Sequence, residues 1–354
     1  MFHLDKLFSR ISRLRTASLI VISILLLVIV GFVDWVTGSE LSISIFYLIP
    51  IALSAWFIHR WASIMLALMS VIIWFFADFF NSPYYGHPVI PYWNSLIMFG
   101  FFIVFALLLS ALKSAVEREN IMALNIQKSL LPQKNPDVSG FRIFTIWEPT
   151  RVVSGDYYDF IHLKENNLGI ALADVCGHGF PAALLMSNVQ ASFRIISSHD
   201  HSPKEVCDHL NSIMNSYLMP EKYTSFFYGI LDAERREFVY ANAGHPFPII
   251  IRSNGEINYL TNGGLLLGVN PNTSYEQSII NLEKGDILLL YSDGIVETRN
   301  AAGEEFGENR LIEFCKKNMN LKEKIFRENI LTALDKFSNS NIDDDITLVV
   351  IFTD

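Results

Sequence analysis

Four long apolar stretches crowd into the first third of the chain, and no other feature constrains its fold as tightly. They are Ala17–Val33, Leu41–Ile58, Trp61–Phe80 and Trp93–Leu112. Asp78 is the single charged residue among them. At ~1.5 Å of rise per residue, each is about long enough to cross ~30 Å of hydrocarbon as a helix. Inside a bilayer the backbone must satisfy its own polar groups, so a spanning segment of this kind is helical. Residues 1–112 therefore read as an N-terminal α-helical transmembrane bundle of four spans, a sensor or anchor. A cleaved secretory signal is disfavoured: no small-residue cleavage site follows the first stretch, and three more spans do.

The basic residues orient the bundle. Lys6, Arg10, Arg13 and Arg15 precede the first span, His59 and Arg60 join the second and third, and Lys113 and Arg118 follow the fourth. The two other connections, Asp34–Glu40 and Asn81–Tyr92, contain no Lys or Arg. The positive-inside rule then puts the N-terminus, the 59–60 turn and everything after 112 in the cytoplasm, in a multi-pass protein of the cell's inner (plasma) membrane. Trp35, Tyr47, Trp56, Trp61, Tyr84, Tyr85, Tyr92 and Trp93 fall mostly near span ends, as interfacial aromatics do. Asp78 is read as a hydrated acid at the outer interface rather than a buried functional group. Pro50 is a candidate kink, and Ser42, Ser44, Ser54 and Ser70 are candidate hydrogen-bonding residues between helices.

Residues 113–135 form a linker. Leu112, Val116, Met122 or Ala123, Ile126 and Leu130 recur at spacings of three and four, the stripe of an amphipathic helix continuing from the fourth span. Pro132 ends it. Such a stripe suits either a two-stranded coiled coil, and so a homodimer, or packing on the chain's own C-terminal domain.

Residues 136–354 change character. Short β runs separated by turns alternate with helical stretches at 181–198, 203–217, 309–318 and 321–337, which predicts an α+β sandwich with sheets inside and helices outside. The net charge is −9, yet the first 112 residues carry +1 and the remainder −10. An acidic soluble part lacks the basic face that nucleic acid requires. Cys176, Cys207 and Cys315 have no metal-type spacing and fit a reducing compartment.

The chemistry lies in acids at the ends of strand-like runs. Asp174 closes Leu168–Ala173 just before Gly177-His-Gly179; Asp156 lies in Val153-Ser-Gly-Asp-Tyr-Tyr-Asp159; Asp293 ends Leu289-Leu-Tyr-Ser-Asp; and Asp343-Asp-Asp345 precedes Ile346–Ile351. Carboxylates on rigid strand ends are the usual ligands of Mg²⁺ or Mn²⁺, hard cations that keep several waters. Two such ions can activate water against a phosphate ester without a protein nucleophile. Motifs for other hydrolytic routes are missing: there is no Cys-x5-Arg, Gly-x-Ser-x-Gly, Walker A or His-Glu-x-x-His.

Taken in order, Val153–Asp159, Ala173–Gly179, Ala243-Gly-His-Pro246, Tyr291-Ser-Asp-Gly-Ile-Val-Glu297 and Asp344-Asp-Ile-Thr-Leu-Val-Val350 resemble the SpoIIE/RsbU-type branch of the PP2C metal-dependent protein phosphatases. Gln127-Lys-Ser-Leu-Leu-Pro132 resembles the element preceding such domains. The resemblance covers roughly residues 125–354. It implies a PP2C-like β-sandwich flanked by helices, two Mn²⁺ or Mg²⁺ ions, and hydrolysis of phosphoserine or phosphothreonine on a protein, usually a small anti-anti-sigma regulator of the STAS type. It implies that Asp174 bridges the two ions, that Asp156 and the Val175 carbonyl serve one, and that Asp293 and Asp344 serve the other. It also implies close backbone approach at Gly155 and Gly177, a tight turn at Gly294, and orientation of Asp344 by Thr347. Asp159 is read as a turn or second-sphere acid, His178 and His245 as structural, Glu297 as a solvated or second-sphere acid, and Asp343 and Asp345 as candidates for solvent. The alternative is a membrane scaffold whose silent catalytic fold only binds partners; the intact acids argue against it.

Overall fold

The computed structural model describes residues 11, 14–38, 43–81, 87, 89–199, 201–217 and 222–354. Lys6, Arg10, Arg13, Glu40, Ser42, Tyr84 and Tyr85 lie outside the described residues. The chain divides into two compact units, 1–119 and 120–354.

In the first unit α1 (Thr16–Thr37), a 3₁₀ turn (Ser44–Tyr47) leading into α2 (Leu48–Phe57), α3 (Arg60–Asn81) and the first part of α4 (Ile90–Leu130) follow one another. Three helices, α1, α3 and α4, are long and apolar enough to cross a membrane. The expected second span is shorter: Ser44–Phe57 reaches about 23 Å, short of ~30 Å of hydrocarbon. Only Ile58 and His59 separate it from α3, so the tight hairpin is present. The core here is Leu27, Tyr47, Ile51, Leu66, Ala67, Phe102 and Ala106.

Several residues differ from expectation. Asp34 belongs to the last turn of α1 rather than to a loop, and the buried Tyr47 donates a hydrogen bond to its carboxylate at 3.0 Å. Tyr47 is thus a core residue, whereas Trp35, Trp61, Tyr92 and Trp93 are exposed. Ser54 and Ser70 donate to Ile51 and Leu66 of their own helices, which satisfies their hydroxyls without a second helix. Pro50 sits in the first turn of α2, where its missing N–H costs no helical bond.

The second unit holds two sheets. One has the order β1 (Phe141–Glu148), β11 (Ile346–Thr353), β10 (Ile287–Tyr291), β6 (Ile249–Ile251), β7 (Ile257–Tyr259). The other has the order β2 (Asp156–His162), β3 (Leu168–Val175), β4 (Thr224–Asp232), β5 (Glu237–Ala243), β8 (Gly263–Gly264), with β9 (Ser278–Asn281) also on β5. Every pairing is antiparallel except β5 with β8. The sheets are open and stacked, not closed into a barrel.

Strand alternation assigns the layers. Val349 and Ile351 of β11, with Leu288 and Leu290 of β10, join the core shared with the second sheet, with α5 (Phe180–Ser197) and with α6 (Pro203–Tyr217). Their neighbours Leu348, Val350, Leu289 and Tyr291 face α8 (Gly307–Asn318) and α9 (Glu323–Ser338). Because both faces are covered, these strands are continuous apolar runs rather than alternating ones. The result is the predicted sandwich with helices outside.

Within this unit, the end of α4 packs through Leu124, Gln127 and then Leu131 just beyond it. The stripe read from the sequence is a different one: Leu112, Val116, Met122 and Ile126 are exposed.

Candidate metal centre

Four strand ends meet at one edge of the sandwich. Asp156 opens β2 and Asp174 lies near the end of β3; the two are register partners across the ladder. Asp293 follows β10 and opens α7 (Asp293–Val296), a single helical turn. Asp344 precedes β11. These acids from two sheets feel one another. Burial drives the Asp174 carboxyl up to about 7, helped by the charges of Asp293 and Asp344. Burial likewise lifts Asp293 to about 6, with Asp344 and Glu297 adding to it. Asp156 is held well above its ordinary range by burial and then by Asp174, opposed by hydrogen bonds from Thr347 and Ser292. Asp344 is exposed at the mouth; the partial desolvation of its surroundings still raises it, against the Asp345 N–H that it accepts at 2.8 Å. Mutually repelling, part-buried carboxylates of this kind call for a cation.

The backbone permits the convergence at two glycines. A Cβ on Gly155 would come within 3.0 Å of the Val175 carbonyl oxygen and 3.2 Å of Ala182. On Gly294 it would lie 2.1 Å from the Asp345 carbonyl oxygen, so this glycine serves close approach rather than the turn expected of it.

Side-chain partners depart from the sequence reading in three places. Thr347 donates its hydroxyl to Asp156 at 2.5 Å, so it orients Asp156 and not Asp344. Asp345 is buried, contrary to the solvent-facing expectation. Its carboxylate accepts from Thr150 N–H at 2.8 Å, Thr150 O–H at 2.9 Å and Gly155 N–H at 3.0 Å, which ties the 150–155 loop to the start of β11. Asp159 sits mid-strand, fully buried, in a bidentate ion pair with Arg194 of α5 at 2.7 and 3.0 Å. It is a core ion pair and not a turn acid.

The remaining residues support loops. His245 is buried between Ser225, whose hydroxyl meets Nδ1 at 2.8 Å, and Asn242, which clamps its backbone on both sides. Burial drives its imidazole down to about 3. His178 is exposed and acts on Asp344 only through its charge. Gln127, named in the sequence only as part of the element ahead of the domain, also contributes: its amide accepts from Ser154 N–H at 2.9 Å and donates to the Ser154 carbonyl at 2.6 Å. It thereby holds the loop that carries Gly155 and Asp156.

Comparison with known proteins decides the family. Stage II sporulation protein E (SpoIIE) matches residues 164–354, more than half of the chain. The phosphoserine phosphatase RsbU of Bacillus subtilis is 32% identical over 246 residues, 69% of this chain and 72% of that protein. The chain belongs to the SpoIIE family of PP2C-type serine/threonine phosphatases. The SiaA PP2C domain of Pseudomonas aeruginosa superposes with a TM-score of 0.61 at 22% identity, covering 69% of this chain and all of that one. The PP2C phosphatase domain of B. subtilis SpoIIE, solved with a fragment of its regulatory domain, gives 0.52 at 21% identity, covering 61% and 64%. Both show the PP2C fold. Residues 16–125 match a domain of unknown function, DUF4118.

PP2C phosphatases depend on Mn²⁺ or Mg²⁺, and the donor set suits such ions: all four acids offer hard oxygen. Among the described residues, no three His, Cys, Asp or Glu side chains stand so as to hold a metal ion by themselves. That is compatible with Mg²⁺ and Mn²⁺ chemistry, in which one or two carboxylates and several waters complete each shell.

Proposed function

We propose that this chain is a membrane-anchored phosphoprotein phosphatase whose centre is held by Asp156, Asp174, Asp293, Asp344 and the Val175 carbonyl. The observation that carries the reading is the convergence of four acids from the ends of β2, β3, β10 and β11, each raised by burial and by its neighbours. Asp174, influenced by the other acids from both sheets, would be the acid shared by two ions; Asp156 and the Val175 carbonyl would hold one, and Asp293 and Asp344 the other. The ions, Mn²⁺ or Mg²⁺, supply an activated water and charge neutralisation at the phosphoryl oxygens. The chain's own task is positioning. Thr347 fixes Asp156, Asp345 and Gln127 hold the loop in front of it, and the β2–β3 ladder sets Asp156 beside Asp174.

The substrate we assign is a phosphoserine or phosphothreonine on a cytoplasmic signalling protein, an anti-anti-sigma regulator of the STAS type. The similarity to a phosphoserine phosphatase, RsbU, supports the phosphoserine part of that assignment. Residues 1–112 anchor or sense, 113–135 link and 136–354 catalyse, with the N-terminus and catalytic domain in the cytoplasm; the basic flanks support this orientation, which requires the short apolar helix Ser44–Phe57 to complete the second of four crossings. The exposed stripe of Leu112, Val116, Met122 and Ile126 supports a homodimer through the linker.

Hydrolysis of p-nitrophenyl phosphate by the full-length protein in lipid nanodiscs tests the centre. Turnover that requires Mn²⁺ and is abolished by Asp174→Asn and by Asp293→Asn is the expected result. Metal-independent turnover, or turnover that survives both substitutions, overturns the reading.

A further inference from the structure

Beside the acids opens a cleft of about 390 Å³, and its two sides differ in kind. Asp174, Asp293 and Glu297 belong to its lining, with Cys176, Ser225 and His245. The apolar part of the lining, a wall beside the acids, is made by Tyr223, Pro246, Phe247 and Leu266. Among the described residues, no Lys or Arg belongs to the lining. Tyr223 and Phe247 are 43% and 47% exposed.

This wall is built rather than incidental. Leu266 presses on Gly244, where a Cβ would lie 2.7 Å from its Cγ and where the backbone has φ +70°. The next residue, Leu267, exchanges backbone hydrogen bonds with Thr224 at 2.9 and 3.1 Å, which fixes the segment to the start of β4. Asn242 clamps His245 immediately before Pro246 and Phe247. A rigid apolar wall continuous with a reacting centre binds without paying for its own ordering. The volume lies at the low end of ligand clefts, ~300–1,000 Å³. It holds a phosphoryl group and a neighbouring side chain, not a folded surface.

We propose that this wall is a specificity subsite, which receives an apolar side chain directly beside the phosphorylated serine or threonine of the substrate segment. The inference rests on the phosphatase reading and names what that reading leaves open. An acidic neighbour is disfavoured there, because it would give up hydration against an apolar surface, with Glu297 also in the lining.

The test uses full-length protein in nanodiscs with Mn²⁺, p-nitrophenyl phosphate, and phosphoserine peptides carrying Leu or Asp immediately before or after the phosphoserine. At one of the two positions, Leu is expected to exceed Asp by about 10-fold or more in kcat/KM, the scale of discrimination by an apolar pocket. Phe247→Ala and Tyr223→Ala should remove that preference, mainly through KM, and leave p-nitrophenyl phosphate turnover within about twofold of the parent. Binding of a fluorescent Leu-flanked phosphonate peptide, followed by anisotropy, should weaken in parallel. Equal use of Leu and Asp peptides, or equal loss on peptide and p-nitrophenyl phosphate, overturns the subsite alone. Absence of wild-type turnover on p-nitrophenyl phosphate overturns the phosphatase reading beneath it.

Discussion

Replacing Asp345 with Asn isolates the tie between the 150–155 loop and the start of β11. The side chain is 6% exposed and accepts three hydrogen bonds, two from Thr150 and one from Gly155. Asn keeps the shape but offers one acceptor oxygen. If that oxygen stays with Thr150, the new NH₂ faces the Gly155 N–H, donor against donor; if the amide flips, Thr150 loses its partner. A hydrogen bond to a charged group contributes ~1.5–3 kcal/mol, and an unsatisfied buried donor costs ~1–3 kcal/mol. Against this stands relief of the repulsion that Asp345 exerts on Asp156 and Asp174, the last-ranked influence on each. The net expectation is a loss of about 2 kcal/mol, or about 4–8 °C in Tm for a unit of this size. Circular dichroism melts in detergent with EDTA read it directly. Asp343→Asn is the control, since Asp343 is exposed and accepts a hydrogen bond from nearby Asn341; its melt should move by no more than about 1–2 °C. If Asp345→Asn melts together with that control, the loop is not held by this carboxylate and the reasoning fails.

Three further outcomes are expected. Thr347→Val removes the hydroxyl from Asp156 and should weaken Mn²⁺ binding about 10–100-fold in a calorimetric titration, with Thr347→Ser recovering most of it; unchanged affinity in the Val variant would show that Asp156 needs no orienting partner. Arg194→Met leaves Asp159 buried beside Tyr157 alone among side chains. It should cost about 3 kcal/mol, the low end for a broken buried pair because the Arg side chain is half exposed; a urea midpoint equal to wild type would contradict this. The metal-free protein should also respond to pH in a particular direction. Asp174 titrates near 7 and Asp293 near 6 in the fold, both above the ordinary 3.8. Between about pH 4 and 7 the folded state therefore binds more protons than the unfolded one, so this contribution is complete below about pH 4 and is lost as pH rises through 6 and 7. In EDTA the Tm should fall from pH 5.5 to 7.5, and saturating Mn²⁺ should flatten the trend; a Tm that rises across that range in EDTA would refute the assigned shifts.

What the sequence discloses and what it conceals follow from the range of each interaction. The centre is legible because its four acids each flank a strand-like run, Asp174 and Asp293 at its end and Asp156 and Asp344 at its start, a local pattern that survives without knowledge of the pairing. The sandwich is legible for the same reason: β3, β10 and β11 are buried on both faces and stand out as unbroken apolar segments. The Asp159–Arg194 pair is hidden because its partners are 35 residues apart and come from a strand and a helix that meet only in the fold. β8 is two glycines, defined by its partner on β5 rather than by its own residues. The acidic triplet 343–345 shows the limit most sharply. Neighbouring residues of an extended chain point to opposite sides, so the triplet offers two phases, Asp344 toward the centre or Asp343 and Asp345 toward it. Nothing within the triplet selects between them. The phase is set from outside by Thr150 and Gly155, whose N–H groups capture Asp345 from a distant loop. With Asp345 so held, Asp344 acts on both Asp174 and Asp293, while Asp345 adds only a smaller repulsion on Asp174. On the proposed assignment of Asp344 to the metal, the bonds held by Asp345 fix the acid next to it, and Asp345→Asn should therefore also weaken Mn²⁺ binding while Asp343→Asn leaves it intact.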